Sequence, residues 1–379
     1  MSGGVSLGIN ARFASALGRI DPYTKLSPTE RAAQNRLIRW QRQSMAARIM
    51  HDQRVQKCYR VRVKPFVEVL HSSKIRKAHF GGLMTCGSVW MCPICSAKIM
   101  ERRRLELEGI DASELSCFMV TLTLQHAKGD RLKSVQGHLS EAWRTMKSGR
   151  WWPIFQREFL IVGSVTGTEV TYGLEAGWHP HKHVLVWSRL DDSKVDITGV
   201  RERISERFEY ILAKAGRYVS PEHGVDVRKG NDLIREYVAK FGHEPKDKSW
   251  NLAAEITKAP AKIGLKYGDH YTPFQLLDLY LAGSMKAGRL FREYAITMKG
   301  CKQLVWSRYT RELFGLDDEM SDEEIAAAQE QDAIILALLK PEHWRVILRK
   351  EKRSALLEVA NTGNVEYLRV FLKSLGVEL

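Results

Sequence analysis

Three histidines alternate along Trp178-His179-Pro180-His181-Lys182-His183 and lead straight into the apolar run Val184-Leu185-Val186-Trp187. On a β-strand every second side chain points to the same face. His181 and His183 therefore stand side by side, with His179 next in line. Two imidazoles at that spacing can grip one divalent ion. A lone histidine is usually just a polar side chain with a partner. Three within five residues, backed by a strand, favour the ligand reading.

The second grouping is sulfur. Cys92-Pro93-Ile94-Cys95 has the spacing that lets two thiolates reach one ion, and Cys86 adds a third. Cys58 is the best fourth, with His79 or His71 as replacements. Four such ligands around tetrahedral Zn²⁺ make a closed, structural site. A redox dithiol competes, but the third nearby cysteine argues against it. Cys117 and Cys301 stand alone and read as buried thiols.

Strands must position the histidines. Phe159 to Val165 and Gly167 to Tyr172 read as the outgoing arm of a hairpin, His181 to Trp187 as the return, with Gly173 and Gly177 in the turn. With the turn centred near Glu175, Glu169 falls opposite His181 or His183. A carboxylate plus two histidines suits Mg²⁺ or Mn²⁺ and leaves positions for water and phosphate oxygens. The bland alternative makes Glu169 a strand-surface carboxylate. Cys117 to Leu124 is another strand by its β-branched and apolar content, with Thr121 and Thr123 on one face. Helices are expected over Ser134–Met146 and residues 194–215, with Trp151-Trp152-Pro153 breaking the chain between elements. Val225 and Val227 suggest an edge strand.

Beyond them a helix containing Leu233 to Phe241 sets Tyr237 and Lys240 three apart, hence on one face. A tyrosine beside a lysine near a metal is able to attack a phosphodiester. On spacing alone, however, Tyr237 fits an apolar stripe with Leu233 and Phe241 equally well.

Upstream, Ser27-Pro28-Thr29-Glu30 starts a helix running to about Asp52, apolar on one side and arginine-rich on the rest. Its arginines suit either a solvated face or phosphate contact. Tyr59–Val63 and Phe66–Leu70 read as short strands with a turn at Gly81-Gly82. After Cys95 a helix runs to about Gly109. The tail is read as helical, its apolar residues including Ile334, Ile335, Leu336, Leu338 and Leu339, with Ser321 as a helix cap.

The chain of 379 residues carries 59 Lys and Arg against 44 Asp and Glu, a net charge of +15 that favours a polyanionic partner such as nucleic acid. It has ample material for a core, and two or three structural units are expected. No apolar run long enough for a membrane span and no secretory h-region is visible. The cysteine usage suits a reduced compartment, and the expectation is a cytoplasmic protein.

A Thr-Leu-Thr strand, a His-x-His strand and a Tyr-x-x-Lys helix occur in that order. This arrangement resembles the HUH endonuclease superfamily. With Cys-Gly-Ser-x-x-x-Cys-Pro-x-Cys upstream, at Cys86 to Cys95, it is similar more narrowly to the rolling-circle replication initiator (Rep) proteins of small bacterial plasmids. The resemblance covers roughly residues 55 to 310. It implies that His181, His183 and Glu169 hold the catalytic metal. Tyr237 would attack the scissile phosphate, exposed as single-stranded DNA at a plasmid origin, and form a 5′-phosphotyrosine link, with Lys240 assisting. It also implies a released 3′-OH for host DNA polymerase, a host helicase as partner, and later strand closure. Where some relatives carry a termination glutamate one turn before the tyrosine, this chain has Leu233. Asp232, Glu236 and Glu244 are the nearby carboxylates, and the termination residue stays unassigned. His179 sits where relatives often have Asn.

The fold expected is α+β: a central antiparallel sheet flanked by helices, a zinc-bound N-terminal element and a helical C-terminal region. The expected divisions are a disordered N-terminal segment with a basic helix (1–54), a zinc element (55–110), the catalytic domain (111–310) and the helical tail (311–379). Rival readings are a transposase or relaxase on the same scaffold, a non-catalytic zinc-dependent DNA-binding protein, and a zinc hydrolase using the three histidines. Origin sequence, DNA-binding residues and oligomeric state are not assigned.

Overall fold

The computed structural model describes residues 27–230 and 270–379. Tyr237, Lys240 and the carboxylates weighed beside them lie outside the described residues. Among the described residues, nine strands run in chain order: β1 (Val67–Ser72), β2 (Lys77–Gly81), β3 (Ser116–Leu122), β4 (Ile161–Gly173), β5 (Gly177–Ser188), β6 (Val225–Lys229), β7 (His270–Tyr271), β8 (Leu304–Trp306) and β9 (Ala333–Leu339). They form two antiparallel sheets with helices packed against them, the α+β arrangement expected.

The chain forms two compact units, and neither is one consecutive stretch. The first joins the residues up to Ile99 to Leu276–Arg292 and Met320–Leu379. Its sheet has the order β2-β1-β9. Here the tail departs from expectation: Ala333–Leu339 is a strand paired with β1, not a helix. Its seven apolar residues carry no helical period, and two adjacent β-branched isoleucines favour the extended form. The three helices after it do form, at Pro341–Arg349, Arg353–Ala360 and Val365–Ser374. They bury Trp344, Ile347, Leu356 and Leu368 with Val67, Val69 and Phe80.

The helix Pro28–Ile49 begins as expected. The Ser27 hydroxyl accepts from the Glu30 amide at 3.2 Å, and the Glu30 carboxylate accepts from the Ser27 amide at 2.8 Å. Two of its arginines are held within the same unit: Arg36 binds Glu358 and the buried Arg42 binds Asp278, each through two hydrogen bonds. Tyr59–Val63 is a series of turns rather than a strand, making only the isolated bridge Arg62–Leu83. The β1–β2 turn falls between Ser72 and Lys77, not at Gly81-Gly82.

The second unit spans Met100–Gln275 and Glu293–Glu319. Its sheet runs β6-β3-β5-β4-β7, with β8 also on β4. One face is dry. Phe118, Val120, Leu122, Val184, Val186, Val225 and Val227 meet the helices Leu132–Lys147, Trp151–Glu158 and Ile197–Lys214. Each fully buried side chain of this kind contributes roughly 1.5–3 kcal/mol. Trp151-Trp152-Pro153 opens a helix instead of breaking the chain, because proline in the first turn lacks only an N–H that would have had no partner there. On the opposite face of β5, Leu185 and Trp187 pack with Val165 and Leu304. The same face continues along the strand as His183, His181 and His179.

Candidate metal centres

The sulfur site is built by loops and one helix end. Cys58 follows a short 3₁₀ turn, Arg54–Gln56. Cys86 lies in the loop after β2, and Cys92 and Cys95 flank the start of the helix Pro93–Glu108. All four thiols are buried and unbridged, and their sulfurs lie within 4.8 Å of one another. Cys58 Sγ is 3.7 Å from Cys92 Sγ and 3.5 Å from Cys95 Sγ, and Cys86 Sγ is 3.7 Å from Cys95 Sγ. A tetrahedron with Zn–S bonds of about 2.3 Å has S···S edges of about 3.8 Å. The residues therefore fit a zinc ion, and Cys58 takes the fourth place rather than His71 or His79.

The surroundings suit that charge. The Cys86 amide donates to Cys58 Sγ at 3.3 Å. Gln43, fully buried, donates to the Cys58 carbonyl at 2.9 Å. Arg353, 1% exposed, donates to Ser44 Oγ at 2.8 Å and to the Tyr59 carbonyl at 3.4 Å, with its guanidinium over the Trp40 ring. Burial, with the neighbouring Arg60 charge, pushes the Arg353 guanidinium down to about 10, while its ion pair with Glu351 opposes this.

The histidine site is built by strand pairing. In the β4–β5 register Glu169 faces His181, Gly167 faces His183, and on the other side Thr121 of β3 faces His183. Gly167 puts no side chain opposite His183. Glu169, two residues along on the same face, reaches across diagonally, its Oε2 3.0 Å from His183 Nε2. The other imidazole nitrogen, Nδ1, is 3.1 Å from Thr121 Oγ1. A hydroxyl both donates and accepts, so Thr121 can hold either tautomer. When it accepts from Nδ1–H, the Nε2 lone pair is turned toward the carboxylate, the orientation a bound cation needs. The His181 ring lies parallel to that of His183, centroids 5.8 Å apart. His183 and Glu169 are buried, and His181 is half-buried.

Among the described residues, only the four cysteines bring three or more ligand atoms within 4.8 Å of one another. The structure thus brings His183 and Glu169 together with His181 alongside, without gathering all three onto one point. Two imidazoles and a carboxylate are donors of the kind a divalent ion accepts.

Sequence reasoning missed several neighbours. His126, just past β3, donates Nδ1–H to the Ala176 carbonyl at 3.0 Å, and its Nε2 meets His179 Nδ1. Its place two residues after Leu124 was the available signal. Burial, aided by His126 and His270, pushes the His179 imidazole down to about 4. Lys182 turns to the opposite face of β5, where it is buried and donates to Thr168 Oγ1 at 2.8 Å. Burial pushes its amine down to about 8. Of the two lone cysteines, Cys301 is exposed, contrary to expectation, because it follows the end of the helix Met285–Met298.

The chain is 27% identical over 344 residues to a protein named Protein rep from Streptomyces lividans, an alignment covering 71% of this chain and 73% of that one. It is 31% identical over 150 residues to a Neomycin resistance protein from Streptomyces cyanogenus, covering 31% of this chain and 34% of that one. No family model and no solved structure matches it. The resemblance to Rep read from the motifs thus recurs in a relative aligned over most of both chains.

Proposed function

We propose that this relative of a Streptomyces Rep protein initiates rolling-circle replication of a plasmid by nicking and later rejoining one strand at the origin. The observation that carries the reading is the contact of Glu169 with His183, beside His181, on adjacent strands of an antiparallel sheet. A divalent Mg²⁺ or Mn²⁺ ion there would supply Lewis-acid polarisation of the scissile phosphate. His181, His183 and Glu169 would hold it, and Thr121 would accept from His183 Nδ1–H when Nε2 faces the ion.

The nucleophile in this reading is Tyr237. Its oxygen bonds to phosphorus as the bond to the 3′-oxygen breaks, and that oxygen leaves as a 3′-OH after taking a proton. The DNA stays joined through a 5′-phosphotyrosine. Attack by a 3′-OH reverses the step, so no nucleotide is consumed in cutting or joining. Lys240, three residues on, offsets charge on the phosphate. The surplus of basic residues suits origin DNA. Host helicase and polymerase would then use the exposed 3′ end, in the cytoplasm. No helix among the described residues is long and apolar enough to cross a membrane. The buried cysteine cluster is assigned to structural Zn²⁺.

The test is a nicking assay with Mn²⁺ and a 3′-labelled single-stranded oligonucleotide carrying the plasmid origin. The expected result is a labelled protein–DNA band that is absent for Tyr237→Phe and absent with chelator. A band that persists in Tyr237→Phe moves the nucleophile to another residue. Tight DNA binding with no band from any origin fragment sinks the nuclease reading.

A further inference from the structure

The strand β9 closes one edge of its sheet, paired with β1 on one side and with no strand on the other among the described residues. Such an edge offers a row of backbone donors and acceptors, and soluble proteins usually blunt it with lysine, proline or cover. Ala333–Leu339 contains no lysine or proline, its seven residues are all apolar, and its one protective device is the bulge against β1, with Lys340 and Pro341 following only after the strand.

The side chains sort by face. A bulge opposite Val69 and Leu70 puts both Leu336 and Ala337 toward the core, where they are buried with Leu339. Ile335 and Leu338 pair with Leu70 and Glu68 on the outer face and are 54% and 47% exposed. The ends of the strand carry opposite charge, Glu330 and Asp332 before it and Lys340 after it.

We propose that β9 is a self-association edge, pairing antiparallel with β9 of a second copy of this chain. The two-fold axis passes between Leu336 and Ala337, because only that register keeps every side chain on its own face. Ile335 of one copy then lies opposite Leu338 of the other, so these two exposed side chains cover each other, while Ile334, 60% exposed, lies opposite Leu339. The same antiparallel sense brings the acidic lead-in of one copy beside Lys340 of the other, at both ends of the joint. A parallel arrangement would set like charge against like. The bulge residues face each other at the centre, and the two three-stranded sheets become one continuous six-stranded sheet.

Sedimentation velocity on the full-length, zinc-loaded protein over a range of concentrations tests this. The expected result is a monomer–dimer equilibrium. Ile335→Lys or Leu338→Lys should weaken it by about a hundredfold, since each substitution enters the joint twice. Lys340→Glu, a change at an exposed position outside the strand, should weaken it by about tenfold. Val370→Lys, equally exposed but on the last helix, should leave it unchanged. A protein that is monomeric throughout, with the edge left to solvent or covered by another segment, overturns the proposal. So does a dimer indifferent to Ile335→Lys, Leu338→Lys and Lys340→Glu, which would place the interface elsewhere.

Discussion

The cysteine cluster and the histidine row reach a metal in different ways. Loops and a helix end bring four thiols together from residues 58 to 95, and burial closes the site on all sides. The histidine site lies on the regular surface of a sheet, where pleating and register alone decide which side chains are neighbours. The first geometry is complete in itself. The second is open: His183 touches Glu169 and Thr121, while His181 stands 5.8 Å away ring to ring. An enclosed thiolate site is suited to holding a fold together, and an open site on a rigid sheet to admitting a substrate. Damage to the first should therefore register as lost stability and damage to the second as lost chemistry.

The largest effect should follow Cys92→Ser. Zinc binding at four-thiolate sites is linked to folding by about 10–16 kcal/mol. The variant should lose its zinc, read by atomic emission. The first unit should lose its cooperative melting transition, while the β3–β6 sheet of the second unit keeps its protected amides in hydrogen exchange. A zinc-free Cys92→Ser protein that melts like the parent would remove the distinction between the sites.

His183→Ala is the converse. Cleavage of the origin oligonucleotide should fall roughly a thousandfold, on the scale of losing a transition-state electrostatic contact. Zinc content should be unchanged. Melting should drop by no more than about 4 °C, a change worth about 1 kcal/mol in a unit of this size. A variant that unfolds outright would make His183 a core residue before a ligand.

How much of this was legible in the sequence follows the same divide. The β4–β5 hairpin was readable because histidines at every second position and two flanking glycines state a strand and a turn directly. The register placed Glu169 opposite His181, within the range expected. The sulfur ligands were readable from Cys-x-x-Cys, although the choice of Cys58 over a histidine needed the fold. Thr121 could be assigned to a face but not to His183, since β3 and β5 are about sixty residues apart and no local pattern encodes their pairing. The contact of His126 with His179 was hidden for the same reason. Ala333–Leu339 misled because a run apolar at every position has no period to separate strand from helix. Tyr237 and Lys240 rest on the sequence resemblance alone.

Arg353→Met should have a smaller effect, again on stability. The methionine fills much of the volume but removes the Arg353 donor from the Tyr59 carbonyl, one of two arginine donors from Ser44 Oγ, and an ion pair from Glu351, beside the sulfur site. A loss of about 3 kcal/mol is expected from urea denaturation of the zinc-loaded protein. DNA cleavage under native conditions should be retained. Selective loss of cleavage would mean that the guanidinium serves the DNA instead of the fold.

The smallest effect tests the open site most closely. Thr121 touches no substrate in the proposed reaction. It acts through His183, whose Nδ1 it meets at 3.1 Å, and so is a positioning residue. Thr121→Val keeps the shape of the side chain and removes the hydroxyl, leaving Nδ1–H of the tautomer that offers its Nε2 lone pair to an ion without its acceptor. Loss of such an outer partner typically weakens metal affinity by about 10–100-fold, and the lower end is expected because Glu169 and His181 remain. Mn²⁺ titration followed by electron paramagnetic resonance should show this shift, and Thr121→Ser should restore the affinity. Cleavage at saturating Mn²⁺ should then nearly match the parent, since the hydroxyl sets how well the ion is held rather than what it does. If Thr121→Val binds Mn²⁺ like the parent yet cleaves slowly, the hydroxyl contacts the DNA. If Thr121→Ser fails to rescue, the methyl group matters more than the hydrogen bond, and Thr121 belongs to the packing of the sheet.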